Sequence, residues 1–333
     1  GYPCRLPAVA IHTVGAGGGS VAWADPGGAL RVGPRSAGAQ PGPAAYGKGG
    51  TEPTVTDANV VLGRIPADTV LAGGLEVRAD LAAAAVGELG SSLGINSATA
   101  AAGIATVVEE VMAGAIRKVS LEEGADPREA TLVAFGGAGG LHATALARRL
   151  GMAGVIVPLH AGVFSALGLL VSPPRVDAAQ SILLDHRQTG RLDAATAAIR
   201  AEAERRLVEE IGERAAAAEV LVDVRYLGQA HEVTVPYLVG SGWDRLAADF
   251  HALHRDRNGF ARPDDPIEVV TVRAVATAQP ALEFAEIPVP APVGQAMVGV
   301  RPVVSDDEIV QADVIARGAL AAGDEVVGPA VIE

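Results

Sequence analysis

The chain has 333 residues, a formal net charge of −13, and 49% hydrophobic but only 3% aromatic residues. The acidic balance excludes a nucleic-acid binder, which needs clustered Lys and Arg, and the single Cys4 excludes an internal disulfide framework. The length allows two or three domains, with cores built from Ala, Val, Leu and Ile.

Residues 1–74 carry dense Gly and Pro clusters: GAGGGS (15–20), SAGAQPGPAAYGKGG (36–50) and TEPTVTDAN (51–59). Apolar strand signals interleave with them, so ordered loops are expected. VAWADPGGALRVG (21–33) reads as a hairpin turning at Asp25-Pro26-Gly27-Gly28. Residues 76–122 read as two helices, with Gly94 and Gly124 as stops. In the second, Ile104, Val107, Val108, Val111 and Ile116 form the apolar stripe, and Glu109, Glu110, Arg117 and Lys118 are expected to face elsewhere.

Asp126-Pro127-Arg128 turns into a strand at 130–135, and LVAFGGAGGLH (132–142) then passes from apolar run to glycine turn to helix start. The helix is expected over about 141–150, and VIVP (155–158) is a short apolar strand. Strand, helix and strand at this spacing predict a βαβ unit with parallel strands. VFSALGLL (163–170) reads as a short helix. Composition shifts at Ser172-Pro173-Pro174. Beyond it come a charged helix (190–215), alternating strands (219–227, 231–239), a helix (242–257), a strand (267–278), the Pro-rich IPVPAPVG (287–294) and short strand signals. The expected organisation is a first lobe over 1–172, divided into a glycine-rich part (1–75) and a helical and βαβ part (76–172), and an α+β domain over 173–333.

Backbone N–H groups at a glycine turn before a helix suit an anion or a nucleotide, which singles out Gly136, Gly137 and Gly139. The segment Gly17, Gly18, Gly19 and Ser20 could form an anion nest or simply allow two strands to approach. His12 could be a ligand or an acid–base group, or an interior residue of an apolar strand. Asp57 could be a carboxylate for Mg²⁺ or substrate, or part of a helix N-cap, which Thr56, Asp57 or Asn59 would each fit. His142 and His160 flank the βαβ unit, where crevices form in open sheets. The seven histidines show no paired metal spacing, so no protein-built metal site is expected. Ser165 lacks a nucleophile elbow, HEVTV (231–235) reads as strand, and FGGAGG fits a dinucleotide fingerprint poorly.

The segments HTVGAGGGSVAW (12–23), LRVGPRSAGAQPGPAAYGKGGTEPTVTDANVVLGRI (30–65), DPREATLVAFGGAGGLHA (126–143), VIVPLHAGVFSALGLL (155–170) and RYLGQAHEVTVP (225–236) together resemble the hydantoinase A/5-oxoprolinase family in order and spacing. Two positions depart from it: Gly140 stands where the family usually has Pro, and Ser172-Pro173-Pro174 replaces a commoner Ala-Asp. The resemblance implies an α/β fold: one lobe of an acetate and sugar kinase/Hsp70/actin-like (ribonuclease-H-like) ATPase, followed by a smaller α+β domain. It makes Gly136–Gly139 the adenosine motif, with ATP and Mg²⁺ as cofactors; His12 and Asp57, read from the residues themselves, are the catalytic candidates. The two Asp-Gly-Gly-Thr-type phosphate motifs of the family are not in this sequence. With no initial Met, the chain is expected to be the C-terminal part of a longer subunit, inactive and prone to self-association when isolated.

The implied activity is ATP-dependent hydrolysis of a cyclic amide or imide such as 5-oxoproline or a hydantoin, through phosphorylation of the amide oxygen. A hydantoinase B-type subunit or domain is the expected partner, and an oligomer is expected. The alternatives are a carboxylase subunit of the acetone carboxylase kind and a non-catalytic scaffold. No run of about 18 uncharged apolar residues occurs, and GYPCRLPAVA has no leader pattern; with one cysteine, a cytoplasmic setting without membrane contact is expected.

Overall fold

The computed structural model describes residues 11–67, 69–71, 73–122, 124–305 and 308–333; Cys4 and the rest of the opening segment lie outside them. The chain divides into two compact units, Gly1–Ser165 with Pro288–Glu333, and Ala166–Ile287.

In the first unit, β1 (Ser20–Ala24) and β2 (Leu30–Ser36) form the expected antiparallel hairpin. Asp25 closes its turn by accepting the N–H groups of Gly27 and Ala29. Helix α1 (Val55–Val61) follows, then the short pair β3 (Val70–Leu71) and β4 (Leu75–Glu76), and then α2 (Ala79–Leu93) and α3 (Ser97–Glu122). Val55, Ala58 and Leu62 of the α1 segment pack with Val86 and Leu89 of α2 and Ile104, Ala105 and Val108 of α3. Ala100, Ala101 and Ala105 are almost wholly buried, so small side chains let these helices come close. By length and composition α3 could cross a membrane, but its apolar face is taken by this core.

The βαβ unit forms as expected. It comprises β5 (Thr131–Val133), α4 (Gly139–Leu150) and β6 (Gly154–Ile156), and the two strands pair in parallel. Helix α4 begins two residues earlier than expected and ends with Gly151 as its C-cap. Helix α5 (Phe164–Val171) spans the point at which the two units divide.

The second unit is a four-stranded sheet ordered β7-β10-β8-β9. Its elements in chain order are β7 (Arg175–Leu184), α6 (Thr189–Ile211), β8 (Ala217–Tyr226), β9 (Val233–Pro236), α7 (Trp243–Asn258) and β10 (Ile267–Thr277). All its pairings are antiparallel. Alternation puts Val220, Val222, Val224 and Tyr226 of β8 in one core with Leu192, Ile199, Ala203 and Leu207 of α6 and Leu246 and Phe250 of α7. On β10 the buried positions pass from Val269 to Val272, Ala274 and Ala276. That change of parity is permitted by a register shift between Val269 and Thr271, where one extra residue keeps the apolar set on the core face.

The final segment forms β11 (Met297–Ser305), β12 (Glu308–Ile315) and β13 (Ala330–Ile332). The first two pair antiparallel and the last two in parallel. This differs from a single continuous unit over 173–333, because residues 288–333 group with the first unit. Val304 N–H donates to Leu62 O at 3.0 Å, Val304 packs on the α1–α3 core, and Arg317 Nη2 donates to Val157 O at 2.5 Å.

Candidate functional site

The glycine turn sits at the C-terminal ends of the two parallel strands, where open α/β sheets form ligand crevices. Ala134 N–H donates to Ile156 O at 2.9 Å and Gly136 N–H to Ala161 O at 2.7 Å, which ties the turn to both strand ends. Gly136 has φ +89°, a conformation that side chains resist. Ala138 is the N-cap of α4 and offers no side-chain acceptor; Leu141 N–H donates to Ala138 O at 3.1 Å, so of the first-turn N–H groups those of Gly139 and Gly140 are the ones a ligand could take. A Cβ built on Gly137 or Gly139 would meet no protein atom within 4 Å. Protein packing therefore does not require glycine at these two positions, and the backbone there stands open to the surrounding space.

A cavity of about 1310 Å³ opens beside the turn, lined by Gly136, Gly137 and Gly140, by one face of α4 and by residues of α3. Behind it lies a buried polar network. His142, in the first turn of α4, has Nδ1 3.1 Å from Glu109 Oε1 of α3 and Nε2 3.2 Å from Asn59 Nδ2 of α1. The Asn59 amide also donates to Val55 O at 3.0 Å, and its Oδ1 accepts from Arg64 Nη1 at 3.4 Å. The amide N–H is thus the donor to Nε2, and the neutral ring donates its Nδ1–H to Glu109. Glu109 also receives Arg64 Nη1 at 3.2 Å and Arg149 Nη2 at 3.3 Å. Burial pushes the Glu109 carboxyl up, but the hydrogen bond from His142 and the charge of Arg64 outweigh it, and its pKa lies below the ordinary value.

Each residue singled out from sequence has a definite place. Gly136 and Gly137 line the cavity; Gly139, as the first residue of α4, does not. Gly18 and Gly19 answer packing needs instead. A Cβ on Gly18 would lie 2.8 Å from Thr56 Oγ1 and one on Gly19 3.0 Å from Ser36 Oγ. Gly17 N–H donates to Ser20 Oγ at 3.0 Å, which takes one of the groups an anion nest would use, and Ser20 is buried. The two glycine segments are nevertheless neighbours, since the Gly18 Cβ position is 3.7 Å from Ala138 Cβ.

Asp57 is fully buried and does not line the cavity. Its Oδ2 accepts Thr54 N–H at 2.8 Å, Thr54 Oγ1–H at 2.7 Å and Ala44 N–H at 3.3 Å, and its Oδ1 accepts Ala45 N–H at 2.7 Å. Thr54 is the N-cap of α1 and Asp57 closes a capping box with it. Helix α1 therefore starts earlier than Thr56, Asp57 or Asn59 as caps would have it, and the carboxylate is spent on folding rather than on Mg²⁺ or substrate. His12 is exposed, not interior; its Nε2 lies 3.6 Å from Glu122 Oε2, away from the cavity lining. Sequence reasoning missed Glu109, Arg64 and Arg149. Glu109 follows Val108 on α3 and is buried with it, contrary to the expectation that it faces elsewhere. Among the described residues, no three His, Cys, Asp or Glu side chains converge as metal ligands would.

The hydantoinase/oxoprolinase family model matches residues 1–178, and that of the hydantoinase/oxoprolinase C-terminal domain matches residues 186–333. The chain belongs to the hydantoinase/oxoprolinase family. It is 36% identical over 289 residues to the caprolactamase subunit alpha of Pseudomonas jessenii, covering 84% of this chain and 42% of that one. It is 41% identical over 278 residues to an uncharacterized protein of Methanocaldococcus jannaschii, covering 82% of this chain and 40% of that one. The chain thus spans about two fifths of the length of these relatives. Over 158 residues it is 47% identical to the acetophenone carboxylase gamma subunit of Aromatoleum aromaticum, covering 47% of this chain and 21% of that one. The crystal structure of ATP-dependent caprolactamase from Pseudomonas jessenii matches with a TM-score of 0.74 at 34% identity, covering 97% of this chain and 49% of that one. The nucleotide-free structure of acetone carboxylase matches with a TM-score of 0.79 at 24% identity, covering 96% of this chain and 48% of that one, and shows a shared mixed α/β fold.

Proposed function

We propose that this chain is the nucleotide-binding part of an ATP-dependent enzyme that opens a cyclic amide or imide of the 5-oxoproline or hydantoin type. In this reading its first unit belongs to an acetate and sugar kinase/Hsp70/actin-like lobe. The observation that carries it is the cavity beside Gly136 and Gly137, where bare backbone at the start of α4 faces open space, in a chain whose relatives include 5-oxoprolinase of Saccharomyces cerevisiae and caprolactamase.

The residues present fit a nucleotide. Gly136 and Gly137 bring bare backbone to the cavity, and the uncapped start of α4 favours negative charge. ATP, with Mg²⁺ on its phosphates, would supply a phosphoryl group to the amide oxygen and so make the carbonyl carbon open to water. The chain's own part is positional. The His142–Glu109–Asn59 network fixes the start of α4 against α1 and α3, so the turn is held in place before a ligand arrives. Water attack and ring opening are assigned to a hydantoinase B-type partner within a cytoplasmic oligomer. Subunits appear in the names of two relatives, caprolactamase subunit alpha and acetophenone carboxylase gamma subunit. The latter similarity favours one second reading, the same activation used for carboxylation of a ketone.

The deciding experiment is ATP hydrolysis by the complete subunit with its B-type partner, with 5-oxoproline, hydantoin, caprolactam, or a ketone plus bicarbonate. Stimulation by one cyclic amide is expected. Stimulation only by ketone plus bicarbonate moves the protein to the carboxylase reading. No stimulation and no nucleotide binding leaves a scaffold.

A further inference from the structure

The cavity beside the glycine turn has a polar side and an apolar side. On the polar side charge is already matched within the protein: Glu109 holds Arg64 and Arg149 through opposite oxygens, and Glu110 holds the other terminal nitrogen of Arg149. The apolar side comes from residues 288–333. By sequence they belong to the stretch that the C-terminal family model matches, 186–333, yet they group with the first unit. Val303 pairs with Val310 across β11 and β12, and Val314 with Val331 across β12 and β13. Side chains two apart along a strand share a face, so Val303, Val310, Ala312 and Val331 lie on one face of this sheet. All four line the cavity. The sheet is fastened at two places. Val304 N–H donates to Leu62 O at 3.0 Å, and Pro302 O lies 2.4 Å from where a Cβ on Gly63 would stand. Arg317 Nη2 donates to Val157 O just past β6, and Arg317 N–H donates to Glu333 O at 2.7 Å just past β13. An apolar face is thus held in place on the cavity that Gly136 and Gly137 also line.

We propose that this face is the wall on which the uncharged base of a bound nucleoside packs, with Val310 and Val331 as the residues that touch it. The proposal rests on the nucleotide reading above and deepens it by bringing the C-terminal segment into the site. Val303 and Ala312 are themselves buried, whereas Val310 and Val331 are half-buried and carry the apolar surface left for a ligand. A flat, uncharged ring laid on them withdraws apolar surface of both partners from water. Small-molecule sites commonly join such a wall to a few backbone groups, here those of the turn at Gly136 and Gly137. The plain alternative is that the face serves only to seat the three strands on the first unit. That alternative predicts lost stability when the face is altered and unchanged ligand affinity per folded molecule.

The test is calorimetric binding of adenosine, ATP, tripolyphosphate and caprolactam to the complete subunit and to its V310N, V331N, V310L, V331L and G63A variants, with thermal unfolding of each. The wall predicts that the Asn variants bind adenosine and ATP more weakly by a common factor of about tenfold or more, while tripolyphosphate stays within about twofold. The Leu variants keep an apolar surface; they should bind adenosine within about threefold of the unaltered subunit, and they guard against an Asn variant that does not fold. Gly63 has φ +72°, and Pro302 O stands where a methyl would go, so Gly63→Ala pushes β11 away from its anchor. It should weaken adenosine binding with no change to a lining residue. Unaltered adenosine affinity in both Asn variants overturns the wall and leaves the nucleotide reading intact. Equal loss of adenosine, ATP and tripolyphosphate also overturns it, because that is general damage to the cavity. Loss of caprolactam binding with adenosine unaltered gives the face to the cyclic amide and overturns the proposal. An unaltered subunit that binds neither adenosine nor ATP overturns the nucleotide reading and the wall with it.

Discussion

Glu109 Oε1 and His142 Nδ1, 3.1 Å apart and both buried, join the middle of α3 to the first turn of α4. The contact lies five residues beyond Gly137, so whatever fixes His142 also fixes the turn that opens the cavity. Truncating the ring in His142→Ala leaves a buried carboxylate and a buried amide each short of a partner. A loss of about 1–3 kcal/mol in unfolding free energy is expected from urea denaturation. His142→Gln can still donate to Glu109 and accept from Asn59, and should recover part of that loss. Equal destabilisation by both variants would show that ring packing, not the hydrogen bonds, sets the cost.

Asp57 is expected to behave as a folding residue. Four donors converge on its carboxylate with no solvent exposure, so Asp57→Ala strands buried N–H groups and is expected to cost about 3 kcal/mol or more. Thr54→Ala, which removes the cap but not the carboxylate, should cost about 1 kcal/mol. ATP affinity per folded molecule should not change in either. A soluble, fully folded Asp57→Ala protein that has lost only turnover would restore the catalytic assignment.

The glycines separate into two kinds. In Gly18→Ala the new methyl would stand 2.8 Å from Thr56 Oγ1, at a point where Gly18 O also accepts Thr56 N–H at 2.8 Å. The loop and the start of α1 must part, and a melting-temperature drop is expected. In Gly137→Ala the methyl meets no protein atom within 4 Å and enters a residue that lines the cavity. Stability should hold while nucleotide affinity falls. Isothermal titration with ATP beside a thermal scan of each variant reads both effects, and a destabilised Gly137→Ala would make that glycine architectural.

Much of this fold was legible because it rests on local patterns. The βαβ unit at 131–156 follows from two short apolar runs around a helix, and the sheet of the second unit from clean alternation, as at Val220, Val222 and Val224. The site was less legible, because its polar groups are buried through partners distant in sequence. Glu109 reads as a solvent residue by charge, yet it is enclosed by His142, Arg64 and Arg149, which no spacing on α3 reveals. Asp57 reads equally as cap or ligand until Ala44 and Ala45 are seen donating to it. The grouping of 288–333 with the first unit depends on Val304 reaching Leu62, a pairing invisible to composition.

The second unit supplies a pH-dependent prediction away from the cavity. Tyr237 OH donates to Asp193 Oδ1 at 2.6 Å, and Gly240 N–H donates to the same oxygen at 3.0 Å. Burial, reinforced by the hydrogen bond to Asp193 and by its charge, pushes the Tyr237 phenol up to about 12 from the ordinary 10.0. The folded state therefore holds this proton more tightly than the unfolded state does. Below pH 10 both states keep it and the contribution is complete; between about 10 and 12 the unfolded chain loses the proton first, and stability falls as pH rises. Tyr237→Phe removes the titrating group, so its unfolding free energy should be lower at pH 8 but should decline less steeply across that alkaline window. Parallel slopes for wild type and Tyr237→Phe in urea titrations at pH 9, 10 and 11 would show that the phenol is not the group responsible.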